Sequence, residues 1–202
     1  RRRAPAAAVG STPPVTTRAL PRSLSFTWFS RNNGGLPLST LTLPTTALHG
    51  DPRVALGLDG TLWLANTSYE WASFGDVSIP GDPSMSSYYL LNLNSLGQQI
   101  HLGTTTTTDP IYINALTGDS AGNVYVLGHL EPAAMVGPTR LYLAKHSAAG
   151  ELLFAREYLA SYLGSYFADV TFDAAGDLVV IGSWQSTLYL DSHRLDSPNN
   201  FS

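Results

Sequence analysis

NALTGDSAGNVYVLGH (residues 114–129) and ADVTFDAAGDLVVIGS (168–183) are two copies of one phrase, and VALGLDGTLWLANT (54–67) is a shorter third. Each has a short run of alternating apolar residues, an Asp-containing glycine turn, and a β-branched or aromatic run. Gly60 and Gly122 lie 62 residues apart, and Gly122 and Gly176 lie 54 apart. In the first copy the turn is Asp59-Gly60, a strong short hairpin signal because both positions tolerate positive φ. In the others it is Asp119…Gly122 and Asp173…Gly176, where the aspartate can bond the turn backbone and the glycine can take the left-handed position.

A second hairpin follows in the first two copies. YYLLNLNSLGQQI (88–100) aligns with LYLAKHSAAGELL (141–153) at a single offset of 53, matching Gly97 with Gly150. Two hairpins per unit make four strands in about 50 residues, the size of one propeller blade. The fold expected is therefore all-β: a β-propeller-like array of four-stranded antiparallel blades, with about two and a half blades present. Units run from about 50 to 110, 111 to 165 and 166 to 202, within a repeat domain of residues 23–202. Residues 1–22, rich in proline, alanine and threonine, read as an arm or linker. LSFTWFS (24–30) and LPLSTLTL (36–43) are expected strands joined at Asn32–Gly35. They either pair with the incomplete third unit or end an earlier blade.

The run Asp119…Gly122-Asn123-Val124-Tyr125-Val126-Leu127-Gly128, then Leu141–Lys145, then Gly150–Phe154, resembles the bacterial SBBP β-propeller repeat. The third copy resembles its first half. The first copy departs from it, with Asn66 where a glycine is expected. The resemblance covers roughly residues 50–190. It implies a propeller fold in extracellular or envelope proteins of bacteria and no single activity.

GELLFAREYLASYLG (150–164) has helix formers and tyrosines at i, i+4 spacing, so taken alone it reads as a helix. The repeat places a strand at Glu151–Glu157 followed by a loop, and that alignment is preferred.

Composition narrows function. Charged residues are 13% of the 202, the formal net charge is −4, and three of the eleven basic residues are Arg1, Arg2 and Arg3. No basic stripe remains for a phosphate backbone, so no nucleic-acid partner is expected. The hydroxyl-rich, charge-poor character fits a secreted or cell-surface β protein. The chain has no cysteine, which excludes disulfides and thiolate metal sites. No apolar run reaches membrane-span length, so no transmembrane segment is expected. The start lacks both an initiator methionine and a signal-length apolar run, and is expected to be a processed or trimmed end.

Catalytic signatures are missing. His49, His101, His129, His146 and His193 have no metal-ligand spacing. There is no Gly-x-Ser-x-Gly, no Ser-x-x-Lys and no phosphate loop, so no catalytic residue, metal or cofactor is assigned. Asp59, Asp119 and Asp173 recur at one repeat position and are read as turn caps in preference to calcium ligands. Trp63 and Tyr125 share one column and are assigned to packing between blades. Tyr69, Trp71, Asp76 and Asp82, in the long loop of the first unit, and Trp184, in the equivalent loop of the third, are the candidate ligand-binding residues. Aromatics beside carboxylates can stack on sugar rings, although packing is the preferred reading of them. Asn66-Thr67-Ser68 and Asn200-Phe201-Ser202 match the glycan acceptor pattern. The leading expectation is a non-catalytic extracellular or envelope module that binds protein or glycan. The alternatives are a structural subunit self-associating through open sheet edges, and a glycan-active enzyme with a funnel site.

Overall fold

A computed structural model describes residues 22–29, 37–46, 52–57, 60–68, 71–81, 86–132, 137–160, 165–184 and 186–197. Among them there are sixteen strands and no helix. Asp59, Tyr69, Asp82, the turn at Asn32–Gly35, residues 1–21 of the expected arm and Asn200 lie outside the described residues, and Arg22, the arm's last residue, opens a strand.

The repeat units fold as four-stranded antiparallel sheets in simple order. In the first, β3 (Arg53–Leu56), β4 (Leu62–Thr67), β7 (Ser87–Leu93) and β8 (Gln99–Thr106) follow one another across the sheet. In the second the same places are taken by β9 (Ile111–Gly118), β10 (Val124–Leu130), β11 (Arg140–His146) and β12 (Leu152–Leu159). The third unit contributes only the pair β13 (Tyr166–Phe172) and β14 (Leu178–Ser183). The segment with helical propensity is thus the strand β12, because its amides and carbonyls complete the ladder with β11.

One turn recurs four times and sets this order. At Asn94, Asp119, Ser147 and Asp173 the side-chain oxygen accepts hydrogen bonds from the amides two and four residues on. The glycine three residues after each has φ between +78° and +87°. Asp119 and Asp173 therefore each use Oδ1 to cap their own turns.

Successive sheets stack face to face. Trp63, Ala65, Tyr88 and Leu90 of the first sheet meet Ile111, Leu116, Val126 and Tyr142 of the second. The opposite face of the second sheet, with Leu127 and Leu141, meets Phe167 and Val170 of the third unit. The first strands β3, β9 and β13 pack one on the next. Sandwiching explains why β4 and β7 are buried at every position and read as continuous apolar runs, not alternating ones. Trp63 lies in the first of these interfaces, and Tyr125 reaches Phe172 of the third unit across the second, ring centroids 5.2 Å apart.

A fourth layer precedes the first unit. β1 (Arg22–Phe29) and β2 (Pro37–Thr46) pair with each other, and β2 pairs onward with the hairpin β5 (Ala72–Phe74) and β6 (Val77–Ile79). Of the two sequence expectations for residues 24–43, the end of an earlier sheet is the one observed; these strands do not join the third unit. The loop expected at 69–86 thus carries a hairpin, and so does its counterpart, where β15 (Thr187–Leu190) and β16 (His193–Asp196) pair. Both hairpins reach back to the outer strand of the preceding sheet, through Thr45↔Phe74 and through the bridge Ala160↔Leu188. Strands of three or four residues fall below any periodicity window.

Gly128 and Gly182 close the repeat phrase for a steric reason. Each lies beside a bulge in the facing first strand, where Asn114 and Ala168 are passed over in the ladder. The bulge turns a carbonyl, that of Tyr112 or Tyr166, toward the glycine α-carbon, leaving no room for a Cβ. Asn66 is tolerated in the first unit because the described β3–β4 ladder ends one pair short of it, at Arg53↔Ala65. Buried in β4, with its side-chain oxygen accepting from the Thr67 amide, Asn66 is also unsuited to carry a glycan.

Candidate functional site

The described candidate residues do not converge. Trp71 is 67% exposed at the open end of the β5–β6 hairpin, while Asp76 is exposed at its tip. A three-residue strand separates them, roughly 10 Å of extended chain. Trp184 sits at the end of β14, half-buried against the core between the second sheet and the third unit, with its indole nitrogen enclosed. Trp184 therefore serves packing, and Trp71 is the described candidate that offers an exposed ring.

The charged groups are mostly paired. Arg140, at the start of β11, holds both Asp109 and Glu157, the latter at 2.6 Å. Lys145 meets Asp119 at 3.1 Å and lies 4.9 Å over the Tyr125 ring. Slight burial pushes the Asp119 carboxyl up, but hydrogen bonds from Asn123, Lys145 and the Ala121 amide outweigh it and hold it below the usual carboxylate range. These contacts cross-link strands. No group of three metal-ligating side chains occurs among the described residues.

A buried polar cluster joins the first and second sheets. The Tyr88 hydroxyl lies 2.8 Å from His146 Nε2 and 3.4 Å from the Tyr142 hydroxyl, and His146 Nδ1 lies 3.2 Å from the Gly150 carbonyl. The neutral imidazole fits this geometry: Nδ1–H donates to Gly150 and Nε2 accepts from Tyr88. Burial pushes the His146 pKa down and His101 pushes it further, against the Gly150 hydrogen bond. Burial also lowers His129, which stacks on Tyr112 at 5.1 Å and bonds Asn114 at 2.8 Å.

These shifts have a sign. A histidine whose folded pKa lies below its unfolded value of about 6.5 takes up its proton more readily unfolded. Its contribution to stability is complete above about pH 6.5 and is lost as pH falls through the folded pKa. The midpoint of thermal unfolding is expected to drop between pH 7.5 and pH 5, well above the range where Asp119 titrates. His146→Gln should flatten that drop while lowering the midpoint at pH 7.5. A midpoint independent of pH over this range would contradict the buried neutral imidazole.

What the fold does assemble is an apolar groove. Its volume is about 470 Å³, and Phe26 and the hydroxyl residues Ser25 and Thr27 line one wall while Val54, Ala55, Leu56 and Leu62 line the other. Among the described residues, β1 and β3 are the edge strands of neighbouring sheets, and they border an apolar floor. Val54 is 47% exposed here, whereas its repeat equivalents Leu116 and Val170 are 8% and 5% exposed. Those two are covered by the first strands of the units before them. The sequence carried one signal of this groove, since Val54 and Leu56 alternate in phase with Leu62 and Leu64. Alternation shows which face is apolar but not whether another layer covers it.

No protein-family model matches this chain, and no curated protein matches it in sequence.

Proposed function

We propose that this chain is a non-catalytic interaction module in a β-propeller-like array of the SBBP type, working outside the bacterial cell or in its envelope, and that it binds protein partners by strand addition. Stacked four-stranded sheets, with first strand packed on first strand, support the propeller reading. The hydroxyl-rich, charge-poor sequence supports the location. One observation carries the binding mode: two strands that lie at sheet edges among the described residues flank an apolar groove. Such an edge supplies main-chain hydrogen bonds for affinity and pockets for alternate side chains. This geometry favours protein over glycan, because sugar recognition asks for convergent aromatics and carboxylates, and Trp71 and Asp76 stand at opposite ends of their hairpin.

The test is hydrogen exchange at high dilution, with and without a synthetic hairpin of the sequence Ile111–Leu130. Slowed exchange confined to β1 and β3 is expected. Unchanged exchange at both strands under saturating peptide would refute binding by strand addition.

A further inference from the structure

Gly150, in the turn between β11 and β12, is held between two histidines, one from each of the first two sheets. The His101 ring, on β8, lies against it so closely that an added Cβ would fall within the imidazole. From the other side, the Gly150 carbonyl accepts from His146 Nδ1. The turn itself is closed by Ser147, whose Oγ accepts from the Ala149 and Glu151 amides and whose carbonyl accepts from the Gly150 amide. His101 is half-buried, its ring 6.2 Å from that of Trp63, and its Nε2 is enclosed with no partner among the described residues.

The repeat does not require a histidine at position 146. The offset of 53 that aligns the second hairpins puts Leu93 at the same place, and the ladder shifts just before each, at Asn92 and at Lys145. Leu93 is fully buried in an apolar cluster, whereas His146 is buried and spends both ring nitrogens on Tyr88 and Gly150. Only the neutral ring has the one donor and one acceptor this arrangement uses. Nothing packed around it supplies a counter-charge. β7 presents Tyr88, β8 presents His101, β11 presents Tyr142 and β4 presents Trp63. β12 brings Glu157, which acts on Tyr142, and β9 and β10 bring Ile111, Val124 and Val126. Glu151, the acid of the turn itself, is exposed. Among the described residues no carboxylate pairs with His146, and His101 opposes its protonation.

We propose that the Gly150 turn is an acid-released latch between the first and second sheets: when His146 takes up a proton, the turn withdraws from His101 and admits water, while the ladders of both sheets stay formed. A buried imidazolium without a counter-ion is costly, and histidine is the side chain that makes this change between neutral and mildly acidic pH. The least costly relief is a local opening at the periphery, well short of global unfolding. Ala148 and Ala149 are exposed, so the turn can lift away while the pairs from Tyr125↔Lys145 to Leu130↔Arg140 persist. The latch is closed at neutral pH and opens as pH falls.

Amide exchange of the full chain, with labelling times scaled to the chemical exchange rate at each pH, tests the latch. Between pH 7.5 and pH 5, protection at residues 147–151 is expected to fall about tenfold or more, with Val124–Leu130 unchanged. Unchanged protection at the turn, or an equal loss across both sheets, overturns the latch. His146→Leu adopts the residue the first sheet uses at this place and should keep the turn protected in acid; a variant that still opens overturns the role of His146. A pair of glycine variants tests the His101 contact independently. Gly150→Asn should open the turn already at pH 7.5, because asparagine tolerates the φ of +87° but its Cβ takes the space of the ring. Gly176→Asn, at the same φ with open space around it, should leave its own turn closed. Equal loss of protection at the two turns would mean that backbone strain, and not the His101 contact, governs the turn, and the latch would fall.

Discussion

Trp63→Ala is expected to lower the unfolding free energy by about 3–5 kcal/mol, the cost of emptying a large aromatic site in a packed core. Trp63 is fully buried where the first sheet meets the second, among Tyr88, Ile111, Val126 and Tyr142. Its neighbours belong to β-ladders and cannot collapse into the space without breaking strand pairing, so the cavity persists. For a chain of this size the loss corresponds to a fall of roughly 6–20 °C in the unfolding midpoint. Trp71→Ala provides the contrast. Its ring is mostly in water, and the change should stay within about 0.5 kcal/mol. Denaturant unfolding of both variants checks the pair. A Trp63→Ala cost below about 1.5 kcal/mol would mean that the two sheets are not packed as described.

The same contrast shows what the sequence made legible. Trp63 and Tyr125 occupy one repeat column, and their place between layers, Trp63 buried and Tyr125 half-buried, followed from that column. The other strands from β9 to β14 were equally readable, since each turn states its own chemistry through Asp119, Ser147 or Asp173 and the glycine three residues later, whereas β12 was placed only by the repeat alignment against its local helical propensity. The hairpin β5–β6 was not readable. Its strands are three residues long, and it is stabilised by pairing with β2, about thirty residues earlier in the chain, through Thr45↔Phe74. Trp184 shows the limit for the site. Local sequence placed it in a loop beside other aromatics, but whether a ring faces solvent depends on which layer lies over it. The groove was hidden for the same reason. Val54, Leu116 and Val170 look alike in sequence and differ only in what lies on top of them.

Gly128→Ala is expected to destabilise the chain by about 3 kcal/mol, at or beyond the upper end of ordinary overpacking. An added Cβ would fall inside contact distance of the Tyr112 carbonyl oxygen, with the Ile113 α-carbon 3.5 Å away. Both obstacles are backbone, held in the β9–β10 ladder, and β9 is pinned between two layers, so neither can swing aside as a side chain would. Two other glycines separate steric from conformational effects. Gly60 has φ of +78° and open space where an added methyl would sit, so Gly60→Ala meets only the left-handed strain of about 1 kcal/mol. Gly182 faces the same carbonyl geometry at 2.8 Å, but in the pair β13–β14, where β14 lies at the sheet edge among the described residues and can shift. The expected order of cost is Gly128, then Gly182, then Gly60, read from the denaturant midpoints of the three variants. An equal cost at Gly128 and Gly60 would mean that backbone conformation alone selects glycine in the repeat.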